Sequence, residues 1–368
     1  MQPIGDPHRD GGTPSLFFGL SRIEKKCGTL PLCSMLRPTQ FILAVLITLF
    51  FVLPFLYFTS RSLYPISSSN PFHDDTPHEA YVTLYCPPTP HPWTEGKIDY
   101  YFEGTRIMVH NMLHKESTKD PKHRPFVVLV TESVLPEQVD ILEHDGALVQ
   151  HIPTLPPPPV INMTVIDPRW KDQFTKLRIW NMTEYSRILY MDCDVLPIRP
   201  LSSVFDTPIA IDSDGDPWLF AAVYDSAWLR QWGNSDEPVA QAGPDDKDGA
   251  DSFNAGMFLL HPNSKQAEYI QSLYYSPPDG LKYECCMEQD LLRFAYRDSG
   301  PFRWIRLSHM YNTQWPRVED MHMSHALHGK LWDDTAPTPW SVRRHWFVAW
   351  GEMRGWNENR GAAQYQMV

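Results

Sequence analysis

Residues Arg187 to Leu201 read RILYMDCDVLPIRPL. An apolar run, Ile188-Leu189-Tyr190-Met191, has the length of a buried strand and delivers two carboxylates, Asp192 and Asp194, one residue apart. Pro197 and Pro200 then end regular structure, so the carboxylates sit at or just past the strand's end. Open α/β sheets bind ligands outside the carboxyl ends of their strands. Residues i and i+2 on an extended chain point the same way. Two hard oxygen ligands aimed at one point suit Mg²⁺ or Mn²⁺, with a ligand's phosphates completing the shell. The D-x-D pattern recurs at Asp212/Asp214/Asp216 and Asp246/Asp248, but there no strand precedes it, and the surrounding Asp, Gly and Pro read as solvated loop. In the first of these runs the EF-hand glycine position falls on Pro217 and the closing glutamate position on Val223, which excludes a calcium loop.

The flanking sequence alternates strands with helices. Tyr81-Val82-Thr83-Leu84-Tyr85 is a strand pattern, and Tyr101 to His114 carries a helical apolar face. Pro125 to Val130 predicts a buried strand, Pro136 to His144 a short helix, Ala147 to Ile152 another strand and Phe174 to Tyr185 a helix. Ser252 to Leu260 is a further strand, and Glu288-Gln289 opens a helix. This alternation predicts an α/β fold with a mostly parallel central sheet. Neither G-x-G-x-x-G nor the P-loop pattern occurs, which fits a metal doing the phosphate binding those loops would do.

The net charge of −12 over 368 residues argues against nucleic acid as a partner. Phe41 to Phe58, FILAVLITLFFVLPFLYF, is uncharged, and at 1.5 Å per residue it spans about 27 Å, close to the hydrocarbon thickness of a bilayer. Arg9, Arg22, Lys25, Lys26 and Arg37 precede it, while Asp74, Asp75 and Glu79 lie beyond it. The positive-inside bias predicts a single-pass signal anchor with a cytoplasmic N-terminus. A cleaved signal peptide fits less well, because the segment before the run is long and no A-x-A-like site follows. The expected organisation is a cytoplasmic tail (1–40), a transmembrane anchor (41–59), a stem (60–80), a catalytic domain (81–335) and a Trp-rich extension (336–368). Cys27 and Cys33 fall on the reducing side, where palmitoylation is open to them. Cys86, Cys193, Cys285 and Cys286 face an oxidising lumen, where a Cys86 bridge to Cys285 or Cys286 is one option. Asn162 and Asn181 are N-glycosylation acceptors.

From Tyr81 to Trp332 the chain resembles the glycogenin-like glycosyltransferases, family 8 of the sugar-nucleotide-dependent transferases. The resemblance rests on Thr175-Lys176-Leu177 followed by Tyr185-Ser186 and Met191-Asp192-Cys193-Asp194, then Phe253-Asn254-Ala255-Gly256 and Tyr311-Asn312. Glu288-Gln289 stands where the family has Asp-Gln, and the closing H-x-x-G-x-x-K-P-W pattern is reduced to His325, His328, Gly329, Lys330 and Trp332. The resemblance implies a GT-A (Rossmann-like) fold, a UDP-sugar donor, Mn²⁺ (or Mg²⁺) and retention of anomeric configuration. With the anchor, it is similar to the fungal Golgi branch, which includes N-acetylglucosaminyltransferases. It implies a type II Golgi membrane protein whose luminal domain moves N-acetylglucosamine or glucose onto a glycan or glycoprotein acceptor.

On this resemblance Asp192, Asp194 and His328 are the metal ligands, with His325 as the alternate to His328. Lys330 and Lys176 neutralise the donor phosphates. Thr83, Leu84, Tyr101, Cys193 and Gly329 line the nucleotide site, and Asn254, Glu288 and Gln289 face the sugar. No nucleophile is assigned; Glu288 is a carboxylate near the expected site. The competing class is a transferase-like binding or scaffold protein without turnover.

Overall fold

β1 (His78–Tyr85) is buried from Ala80 to Tyr85, on both faces, as a central strand of a covered sheet must be. It belongs to the unit Thr76–Val368, within which a computed structural model describes residues 78–161, 170–226, 252–283 and 286–366. α1 (Tyr100–Leu113) is capped by the Asp99 carboxylate, which accepts from the backbone N–H groups of Tyr101 and Phe102. It leads to β2 (Phe126–Val130), and α2 (Pro136–His144) leads to β3 (Leu148–His151). β4 (Tyr185–Met191) then lies on the other flank of β1. β5 (Val195–Pro197), β6 (Ala210–Ile211), β7 (Pro217–Tyr224) and β8 (Phe253–His261) follow, then α3 (Ser264–Tyr275), α4 (Glu288–Ala295) and β9 (Ile305–Leu307). β10 (Thr313–Gln314), β11 (Ala326–His328) and α5 (Trp340–Gln366) complete the described chain.

The main sheet runs β3-β2-β1-β4-β8-β7-β6, with β9 on β7. β3, β2, β1 and β4 are parallel, as are β7 and β9. β8 is antiparallel to both its neighbours, and β6 is antiparallel to β7. This is the expected GT-A-like α/β architecture with a mostly parallel sheet. The chain leaves β1 toward β2 on one side and returns as β4 on the other, so a crevice opens between the carboxyl ends of β1 and β4. A three-stranded sheet, β10-β11-β5, stands beside it, with His328 of β11 opposite Val195 of β5.

Strand alternation divides the core. Val82, Ile188, Tyr190, Phe258 and Leu260 pack on one face; Tyr81, Leu189, Met191, Met257 and Leu259 pack on the other. A third core joins α1, the small sheet and α5 through Ile107, Leu196, Leu327, Leu331 and Trp346. α5 enters it with Val342, Trp346, Ala349 and Met353, spaced four, three and four apart as one helical face requires. Residues after 335 thus share a core with the domain they were expected to extend.

Three expectations need correction. Among the described residues no helix is long and apolar enough to cross a membrane, which overturns the N-terminal transmembrane helix as part of the fold. The segment 41–59 on which it rested lies outside those residues, as do the tail, most of the stem, Asn162 and Asp246/Asp248. The helix expected over Phe174–Tyr185 is a 3-10 helix, Gln173–Asn181, after which β4 begins at Tyr185. Its large buried residues Phe174, Leu177 and Trp180 recur every third position, the spacing that a three-residue turn aligns. Cys86 is a free, half-buried thiol, and Cys286 is disulfide-bonded, so neither Cys86 bridge forms.

α1 touches the D-x-D turn through a glycine. A Cβ on Gly104 would stand 2.3 Å from the Cys193 carbonyl oxygen, a backbone atom that cannot rotate away. Gly104→Ala is expected to destabilise the fold by about 1–3 kcal/mol, the usual cost of overpacking. Urea denaturation measures this, and an unchanged midpoint would show that α1 does not need this close approach.

Candidate active site

Asp192 follows β4 directly and its N–H donates to the Gly256 carbonyl of β8 at 2.7 Å. Val195 N–H closes a turn on the Asp192 carbonyl at 3.0 Å, and Gly329 N–H donates to the Asp194 carbonyl at 3.3 Å. Main-chain bonds from three directions therefore fix the turn. His328 enters from β11, and its Nε2 lies 3.2 Å from Asp194 Oδ1. One ligand atom from each of Asp192, Asp194 and His328 falls within 4.8 Å of the others. His325 is elsewhere: its ring meets the Pro200 carbonyl at 2.7 Å and packs against Tyr311. On a strand, residues three apart face opposite sides, which is why β11 brings one histidine to the carboxylates and not the other.

His328 fits because the residue beneath it has no side chain. A Cβ on Gly256 would lie 2.2 Å from the imidazole Cε1 and 2.9 Å from Nε2. Burial favours the neutral imidazole, but the adjacent Asp194 outweighs it and holds His328 above its ordinary pKa. Burial likewise raises Asp194, yet His328, with Lys330 behind it, holds the carboxyl below the usual range.

A second charged group lies under this one. Lys176, from the 3-10 helix, is buried, with its Nζ 3.0 Å from Asp192 Oδ1, 2.7 Å from Glu288 Oε1 and 3.2 Å from the Ala255 carbonyl. Tyr190 donates to the same Asp192 Oδ1 at 2.6 Å. Burial would discharge Lys176, but Asp192 and Glu288 keep it well above its ordinary value. Burial raises Glu288, against the pull of Lys176. Glu288 Oε2 is buried and has no hydrogen-bond partner among the described residues. Gln289 is spent on the scaffold: its Oε1 accepts from Ala255 N–H at 2.6 Å and its Nε2 donates to Asp225 at 3.3 Å. Asn254 Oδ1 accepts from Gly256 N–H at 2.9 Å and from Asn312 Nδ2 at 3.1 Å.

The crevice between β1 and β4 is lined by Leu84, Tyr101, Lys176, Asp192, Cys193, Asp194 and Lys330, all singled out in the sequence. Thr83 and Gly329 are not on its wall. Thr83 is fully buried, with its hydroxyl 3.8 Å from Cys193 Sγ, and Gly329 is buried with a φ of 142° against the Trp315 ring. Cys193 Sγ itself donates to the Leu84 carbonyl at 3.0 Å, and burial pushes its thiol up to about 12. The wall also holds Cys86, Pro88, Trp170, Asp172, Gln173 and Tyr190, which the sequence reading passed over. Cys86 and Pro88 follow β1, Trp170 to Gln173 lie at the start of the T-K-L helix, and Tyr190 belongs to β4, so position is their only sequence signal. The second acidic run is not a bare loop: Asp212, Asp214 and Asp216 surround Lys265 Nζ at 2.6, 2.5 and 3.2 Å.

Residues 125–327 match the profile of Glycosyl transferase family 8. An uncharacterized protein of Schizosaccharomyces pombe is 27% identical over 77% of this chain and 81% of its own length. Galactinol synthase 4 of Arabidopsis thaliana is 27% identical over 64% of this chain and 66% of its own. Among solved structures, the glycosyltransferase GlyE of Streptococcus pneumoniae aligns with a TM-score of 0.45 at 15% identity, over 77% of this chain. The chain spans 64% of the length of that structure.

Two substitutions test the geometry. Gly256→Ala should push the imidazole off its seat and weaken divalent-cation binding about 10–100-fold, as loss of a ligand's support typically does; calorimetric titration reads it, and unchanged affinity would sink the seating argument. Lys176→Met strands two carboxylates and should cost about 3–5 kcal/mol of stability, the usual penalty for a broken buried pair. Adding Glu288→Gln should recover part of that loss in thermal unfolding, and no recovery would deny the coupling.

Proposed function

The chain belongs to glycosyl transferase family 8 and is a glycosyltransferase; on that premise we propose that it moves a hexosyl group, glucose or N-acetylglucosamine, from a UDP-sugar to a glycan hydroxyl with retention of configuration. The observation that carries the metal-dependent part of this reading is the convergence of Asp192, Asp194 and His328 at the head of the crevice.

The donor set fits a divalent cation. Two neighbouring ligands on an octahedral ion at about 2.1 Å stand roughly 3.0 Å apart, and His328 Nε2 lies 3.2 Å from Asp194 Oδ1. Two carboxylates and one imidazole suit Mn²⁺ better than Ca²⁺ or Mg²⁺. A cation held there would supply positive charge to the donor's diphosphate as it leaves.

The remaining work falls to the chain. Lys330, on the crevice wall, meets the diphosphate as a point charge. Lys176 fixes the Asp192 carboxylate in place from below, so the ligand geometry is set before the donor arrives. Glu288 Oε2, a buried acceptor without a partner among the described residues, is suited to a sugar hydroxyl donating to it. Asn254 Oδ1 is already engaged twice, which leaves its amide N–H groups to face the sugar. Leu84 and Tyr101 offer apolar surface to the nucleoside. For location we propose the lumen of the secretory pathway, because Cys286 is disulfide-bonded and such bonds persist in oxidising compartments.

UDP release from UDP-Glc, UDP-GlcNAc, UDP-Gal and UDP-GlcA, with and without Mn²⁺, tests the reading. Turnover of one donor is expected only with metal, and loss of it by about 100-fold or more in Asp192→Asn or Asp194→Asn, since a ligand matters at least as much as its outer-shell support. His328→Ala should regain part of its activity in excess Mn²⁺, while His325→Ala should show no shift in its Mn²⁺ titration. A metal-bound protein that turns over none of these donors would indicate a binding protein instead.

A further inference from the structure

Asn181-Met182-Thr183 is a glycosylation sequon, and the fold places it at the surface. Asn181 is the last residue of the 3-10 helix, and the Met182 N–H that follows bonds back to the Ile179 carbonyl at 3.1 Å. Tyr185 N–H then donates to the Met182 carbonyl at 3.1 Å, closing the turn that starts β4. Trp180 and Met182, on either side of Asn181, are sunk in the core, and Trp180 Nε1 donates to the Tyr296 hydroxyl at 2.6 Å. Two anchored neighbours leave the residue between them no inward direction, and Asn181 and Thr183 are both exposed. An asparagine at a helix end commonly bonds nearby backbone through its amide. The Asn181 amide makes no such bond among the described residues, so its nitrogen is open to solvent.

Its place relative to the crevice follows from the two elements that it joins. β4 begins at Tyr185, beside the sequon, and ends at Met191, beside Asp192. At roughly 3.3 Å per residue those ends stand about 20 Å apart. The 3-10 helix leads the same way. Lys176 stands under Asp192, and at roughly 2.0 Å per residue Asn181 lies about 10 Å further along the axis. The sequon therefore stands at the amino end of the sheet, while Asp192, Asp194 and Lys330 line the crevice at its carboxyl end. A bulky group on Asn181 is clear of the wall that meets the donor.

We propose that Asn181 carries an N-linked glycan. This inference rests on the lumenal location proposed above, where the chain meets the sugar donor for such a modification. That donor is an oligosaccharide joined through its reducing-end N-acetylglucosamine to a lipid diphosphate. Asn181 Nδ2 bonds to the anomeric carbon, the bond from that carbon to the diphosphate oxygen breaks, the lipid diphosphate leaves, and the amide gives up one proton to solvent. The Thr183 hydroxyl, two residues on, completes the pattern by which the host's transferase recognises the asparagine. A glycan is bulky and well solvated, so it keeps the amino end of the sheet in water. A partner or a second copy of this chain then has to engage another face.

The test is peptide mass spectrometry of the full-length chain purified from a eukaryotic host, before and after an amide-cleaving glycosidase. That enzyme turns a glycosylated asparagine into aspartate, so the peptide holding Asn181 is expected in the aspartate form after treatment and depleted before it. Asn181→Gln and Thr183→Ala should each remove the glycosidase-sensitive gel shift that this site contributes, with UDP release unchanged. The measurement on the native chain needs neither variant to fold. A bare Asn181 in protein whose Cys286 resists alkylation until it is reduced overturns the proposal and leaves the lumenal reading standing. A bare Asn181 together with a Cys286 that alkylates without reductant overturns the lumenal reading and the proposal with it. Lost UDP release in a folded Thr183→Ala protein overturns the placement of the glycan clear of the crevice.

Discussion

A single buried ammonium organises this domain. Lys176 comes from the 3-10 helix, Asp192 from the end of β4, Ala255 from β8 and Glu288 from the first turn of α4, and all four meet at hydrogen-bond distance. Such a charge is tolerable only because its partners are fixed around it: against burial, Asp192 and Glu288 hold Lys176 well above its ordinary value. The constraint is mutual and long-range: Lys176 and Glu288 are 112 residues apart. The glutamate where the family carries aspartate fits this role. Its longer side chain, buried with the lysine, closes the ion pair at 2.7 Å and still leaves one oxygen uncommitted.

The site is also a set of close approaches. Gly104 lets α1 lie on the Cys193 carbonyl, and Gly256 lets the His328 ring lie on β8. Both glycines act by what they lack, and both bear on the same turn from opposite sides. Close backbone contacts thus help to fix the D-x-D turn and with it the positions of its two carboxylates.

What was legible in the sequence was local. The run Ile188–Met191, its carboxylates and the prolines after it foretold both the strand and the position of Asp192 and Asp194, because burial and chain stiffness act over a few residues. His328 and His325 could not be separated that way. The choice depends on β11 pairing with β5, some 130 residues earlier, and the sequence left helix and strand both open there. Trp170, Asp172 and Gln173 are not legible in the sequence because nothing periodic marks a residue that faces a crevice at the start of a helix. The T-K-L segment reads as a helix of either period, and the alignment of Phe174, Leu177 and Trp180 decides for the tighter turn only once the core is known. The buried fate of Glu288 and Gln289 was equally hidden, for both look like polar residues opening a helix.

The third core carries a consequence for the order in which the molecule can be made. Leu327 and Leu331, on either side of His328, are covered by Val342 and Trp346 of α5. During synthesis the parallel half of the sheet, complete by Met191, can fold while later residues are still being added. The strand that carries His328 lacks part of its apolar cover until the start of α5 has also emerged. The two carboxylates are therefore made well before the cover over the imidazole is complete. A nascent chain of this protein carries two of the three converging side chains long before the third can be seated.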